Sequence, residues 1–114
     1  MPAIRDGDRI VIIDRKLFRD DNSRIFVGVV EEYDGAVIRS RGFLFHVNPY
    51  EVAGIEPHGG ERVRVASLES GDVFYLLPRE TEIANLQLKR SPKSLTLSDG
   101  ASVTLDLSEW ILRG

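Results

Sequence analysis

The chain has 114 residues and 12.8 kDa, with 15 basic and 18 acidic side chains, 42 % hydrophobic residues and no cysteine. A chain of this length can bury about two thirds of its surface in one core, and its composition excludes disordered and fibrous classes. A pI near 5.4 argues against a broadly basic nucleic-acid binder. The lack of cysteine removes disulfides, thiolate metal sites and cysteine nucleophiles. No apolar run approaches the roughly 18 residues of a membrane helix, and residues 1–7 lack the apolar stretch of a signal peptide. A cytoplasmic protein with no membrane association is therefore expected.

Charge and composition do not shift along the chain, so residues 1–114 are read as one domain. After a Gly7-Asp8 turn, Arg9 to Ile13 is almost all β-branched and predicts a buried strand. The polar run Arg19-Asp20-Asp21-Asn22-Ser23 reads as a loop. Ile25 to Tyr33 and Ala36 to Val47 flank Asp34-Gly35, the pattern of a hairpin on a two-residue type I′ turn. Ile38 and Ser40 share one side of the second arm, whereas past Gly42 the large apolar residues Phe43, Phe45 and Val47 sit at odd positions. A bulge or kink at Gly42 is expected to restore one buried face.

Val52 to Ile55 predicts a short strand or turn between Asn48-Pro49 and Pro57-His58-Gly59-Gly60. Glu61 to Leu68 and Val73 to Leu77 predict two strands, the second stopped by Pro78, which has no N–H to donate. Thr81 to Leu86 holds a candidate helical turn. Leu86 to Lys89, Ser94 to Ser98 and Ala101 to Leu107 predict three more strands, with Asp99-Gly100 closing the last hairpin, and Ser108 could cap a short helical tail. The fold class expected is all-β: a small, strongly bent barrel or sandwich of about seven to eight short strands with a C-terminal hairpin extension.

Few residues carry a catalytic signature. The histidines, His46 and His58, are not spaced as metal ligands, although Glu51 and Glu56 lie near them in sequence. No Gly-x-Ser-x-Gly elbow is present, Asp20-Asp21-Asn22 lacks the calcium-loop pattern, and His58-Gly59-Gly60 lacks the helix start a phosphate cradle needs. The expectation is a non-enzyme without metal or cofactor. Arg39 and Arg41 lie two apart on one strand, and Arg62 and Arg64 two apart on another, each pair opposite the apolar residues of its own strand. On neighbouring strands the four would form a basic stripe for phosphate or carboxylate, extended by Lys89, Arg90 and Lys93. The alternative is cross-strand pairing with Glu31, Glu32, Glu61 or Glu69, which is ordinary surface chemistry.

Gly28-Val29-Val30-Glu31-Glu32-Tyr33-Asp34 resembles the first Sm motif, and Gly71-Asp72-Val73-Phe74-Tyr75-Leu76 resembles the second, over residues 25–77. The resemblance implies a bent five-stranded barrel over about residues 8–78, ring assembly, and single-stranded RNA stacked on Tyr33, and it does not account for the further strands expected over about 84–114. The asparagine and arginine of that family's base clamp are Ile38 and Ser70 here. Two functions are thus expected in order: a small β-barrel module acting through protein interaction or homo-oligomer formation, and an Sm-like RNA binder using Tyr33, Arg39, Arg41, Arg62 and Arg64, with weak RNA binding at most.

Overall fold

The computed structural model describes residues 4–14, 23–47, 54–55, 57, 59–69, 71–91, 94–100 and 103–107. The described residues are all-β apart from one 3-10 turn at Ile83–Asn85. Nine strands follow in order: β1 (Arg9–Ile13), β2 (Ser23–Asp34), β3 (Val37–Val47), β4 (Gly54–Ile55), β5 (Arg62–Ser67), β6 (Val73–Leu77), β7 (Gln87–Ser91), β8 (Ser94–Ser98) and β9 (Thr104–Asp106). β1, β6 and β8 have the expected bounds, and the hairpin about Gly35 is present as β2 and β3. They form two antiparallel sheets, ordered β5-β3-β2-β1-β6 and β4-β7-β8-β9. Neither sheet closes into a barrel, because the outer strands β5 and β6 of the larger sheet share no ladder.

Each face of the larger sheet has its own core. On the inner face, Ile10, Ile12, Phe26, Val30, Ile38 and Ala66 pack together, joined by Ile4 and by the partly buried Tyr33, Leu44, Leu68 and Phe74. The outer face contributes Val11, Ile13, Ile25, Val27, Phe45, Val47 and Leu77 to a second core, completed by Leu86, Leu88, Leu95, Leu97, Val103 and Leu107 from the smaller sheet and its flanks. The C-terminal strands are therefore more than a hairpin extension: with β4 they cover half of the larger sheet's outer face. Burying a Leu, Ile or Val side chain contributes about 1.5–3 kcal/mol, so this second layer is a main source of stability.

That second layer changes the reading of β3. No phase reversal occurs at Gly42. Ile38, Ser40, Gly42 and Leu44 all stay on the inner side, and Phe45 and Val47 are buried because the smaller sheet lies against their opposite face. Gly42 is required for another reason. It pairs directly with Gly28, and a Cβ built on it would overlap the Val27 carbonyl oxygen and lie 2.5 Å from the Gly28 Cα. Two facing glycines let β2 and β3 approach closely at this pair. The bulge itself lies in β2, where the register shifts between Val30 and Glu32 and so turns Tyr33, rather than Glu32, toward the inner core.

Both Asp-Gly turns also differ from the expected type I′ form with Asp-Gly as its two loop residues. Asp34 is still paired with Val37, so the loop is Gly35-Ala36. Only Gly35 has positive φ, at 61°, the arrangement of a type II′ turn with glycine first. In the last hairpin the pairing ends at Ser98 and Thr104, and Asp99 holds a wider loop by accepting a 3.0 Å hydrogen bond from the Val103 N–H. Residues 101 and 102 lie outside the described part, as does the tail after Leu107. At the N-terminal end, Gly7 donates to the Val30 carbonyl at 2.7 Å, and Asp8 accepts from the Arg5 N–H at 2.8 Å and pairs with Arg79. These bonds tie the entry to β1 against β2 and the segment after β6.

Candidate interaction surface

The surface is built where the smaller sheet stops. β3 pairs with β5 in the register Arg39 with Val65, Ser40 with Arg64, Arg41 with Val63, and Gly42 with Arg62. Directly opposed residues in an antiparallel pair point to the same face. Arg39 and Arg41 thus share the outer face with Val63 and Val65, whereas Arg62 and Arg64 lie on the inner face with Ser40. The strands are neighbours, as a stripe requires, but the register separates the four arginines into two pairs on opposite sides. Tyr33 is opposed to Ile38 and packs half-buried against the inner core. It does not share a face with Arg39 and Arg41.

On the outer face the charged groups satisfy one another. Arg39 approaches Glu32 at 3.1 Å and Glu31 at 3.6 Å, and Arg41 donates to Glu31 at 3.0 Å and lies 3.7 Å from Glu61. The hydrogen bond to Glu31, then the charge of that carboxylate, raise the Arg41 pKa above its ordinary value. These are the cross-strand pairs that an ordinary β surface makes, and each contributes modestly because the partners are solvated. Beside them Val37, Val63 and Val65 are 43 %, 44 % and 64 % exposed. A groove of about 320 Å³ runs between Glu32, Asp34, Val37, Arg39 and Val65.

The inner-face arginine has a different setting. Ile13 and Val73 form the last pair between β1 and β6, so Asp14 and Asp72 follow side by side. Arg64, from the far edge of the sheet, reaches both, at 2.5 Å from Asp14 and 3.7 Å from Asp72. The sheet therefore curls far enough for its first strand to meet its fourth and fifth through an ion triad, without a backbone ladder. Lone guanidinium and carboxylate groups at this depth would be costly, and the ion pairing offsets part of that cost.

Neither the triad nor the exposed valines were found by sequence reasoning. The alternation Arg62-Val63-Arg64-Val65 shows that arginines and valines face opposite ways, but not which side is covered. Lys89 is exposed on β7 in the other sheet, away from both arginine pairs, and Lys93 lies outside the described residues. His46 is half-buried on β3, opposite Arg24, whereas His58, Glu51 and Glu56 lie outside the described residues. Among the described residues no three His, Cys, Asp or Glu side chains gather as a metal site, and no helix is long and apolar enough to cross a membrane. No family model, curated protein or solved structure matches this chain at a significant level.

Proposed function

We propose that the protein is a non-catalytic β module that acts by associating through the free edge of its five-stranded sheet. The carrying observation is β5: an outermost strand of six residues whose outer-face valines, Val63 and Val65, are exposed. An unpaired edge bearing β-branched residues is a template for another strand, because its outward N–H and C=O groups still lack ladder partners and its side chains gain from cross-strand contact. The chemistry around the edge supports binding rather than turnover. Its arginines and carboxylates are engaged with one another, which anchors a surface and leaves no group poised as acid, base or nucleophile at that patch.

Mass measured by sedimentation equilibrium over a wide concentration range tests this reading. A mass that rises with concentration, and falls back to the monomer value in a Val65→Lys variant of unchanged circular dichroism, is expected. Monomer mass up to millimolar concentration would remove self-association as the activity.

A further inference from the structure

Resting on that reading, we infer that the occupant of the β5 edge is β5 of a second copy, paired antiparallel about a two-fold axis through Arg64. The two sheets offer four edges among the described residues, and they are not equivalent. β4 has two residues and β9 three, too short to template a stable ladder. β6 has five, but its outer face, through Val73, Tyr75 and Leu77, packs in the core beneath the smaller sheet, and Pro78 ends it. β5 alone combines six residues, an uncovered outer face and no proline.

Its sequence is self-complementary in this register. Val63 and Val65 flank Arg64 symmetrically, so a two-fold axis there sets Val63 opposite Val65 of the second copy, and Val65 opposite its Val63. Four valines then meet on the outer face, extended on each side by Val37 from the neighbouring strand. The same operation sets Arg62 opposite Ala66 and Glu61 opposite Ser67, with no like charges directly opposed there. Only the two Arg64 side chains meet at the axis, and each is already held by Asp14 and Asp72 of its own copy. Each triad carries two carboxylates for one guanidinium, a net negative charge. Arg62, on the same inner face, lies diagonal to the second copy's triad and complements that charge. On the outer face Arg39 and Arg41 are paired within their own copy, so they form a rim without net repulsion. A closed two-fold uses both edges and propagates no further, which gives a dimer rather than a fibre. One six-residue ladder falls below the roughly 800 Å² per partner of a standard interface, so the dimer is weak and reversible.

The absence of native cysteine makes the register directly readable. Val63→Cys and Val65→Cys proteins are made separately, mixed, and oxidised gently. Both sites are exposed, so the fold is retained, and matching melts for the two variants and the parent verify this. Directly opposed residues have Cα atoms close enough for a disulfide, whereas the 63–63 and 65–65 diagonals lie at about 7–8 Å and are not. The mixed disulfide is expected to exceed each like-with-like product about tenfold. Collisional proportions of the three products, or an excess of either like-with-like disulfide, would overturn this register. If mass still rises with concentration in that case, association proceeds through another edge and the broader reading stands. If mass stays at the monomer value as well, both fail.

Discussion

β1 and β5 are strands of similar length with different patterns and opposite surroundings. β1 is an almost unbroken β-branched run whose Ile10, Val11, Ile12 and Ile13 are buried on both faces, whereas β5 alternates arginine and valine and only its Ala66 is buried. The difference lies in position. β1 is fourth of five strands, with a ladder on each side, the inner core below and the smaller sheet above. β5 ends the sheet beyond the reach of the smaller one. The period-two pattern marks β5 as a two-faced strand and the apolar run marks β1 as a buried one, and the neighbours decide which face of β5 is covered.

The comparison can be tested by substitution, starting at the close glycine pair in the strands between the two regions. Gly42→Val forces a side chain into the β2 backbone, and loss of the folded state, or destabilisation of at least about 4 kcal/mol, is expected in a denaturant melt. A melt within about 1 kcal/mol of the parent would show that the glycine pair is not a close contact. Within β1, Ile12→Ala removes a fully buried side chain from the inner core and is expected to cost about 2–5 kcal/mol. The matching change in β5, Val65→Ala, is expected to stay within about 0.5 kcal/mol at concentrations where the chain is monomeric. Equal losses at the two sites would mean that β5 is covered as fully as β1.

Smaller effects follow from the two groups that frame β5. Arg64→Met leaves Asp14 and Asp72 adjacent without their counter-ion, and a loss of about 1–3 kcal/mol is expected. Adding Asp72→Asn should recover part of it, so a double-mutant cycle with no coupling would show that the triad does not join the two edges. Gly35→Val, in open space but at positive φ, should cost about 1–3 kcal/mol through backbone strain alone. At the outer face, Arg39→Ala with Arg41→Ala should leave the circular dichroism spectrum unchanged. Because Tyr33 and these arginines occupy opposite faces, a uridine-rich oligomer is expected to show no tight binding at near-physiological salt. Binding that is lost in Tyr33→Ala and weakens steeply with added salt would instead support the RNA-binding expectation.

Strand positions were legible because they rest on local properties: β-branched runs, turn residues and the missing N–H of Pro78 act within a few residues of chain. The all-β class and the β2–β3 hairpin follow from them. The acid–base pairing of Arg39 and Arg41 with Glu31 and Glu32 was likewise open to reading, since complementary charges on the two arms of a hairpin meet across it. Three outcomes depended on contacts between distant segments. The bulge lies at Val30 and Glu32 rather than at Gly42, because Gly42 is needed for approach to Gly28. Arg62 and Arg64 fall on the face opposite Arg39 and Arg41, because register between non-consecutive strands is set by the whole sheet and a shift of one residue reverses every side chain. Val63 and Val65 remain exposed because the smaller sheet covers only the other half of the larger one, and a period-two pattern says which residues share a face without saying what lies against it.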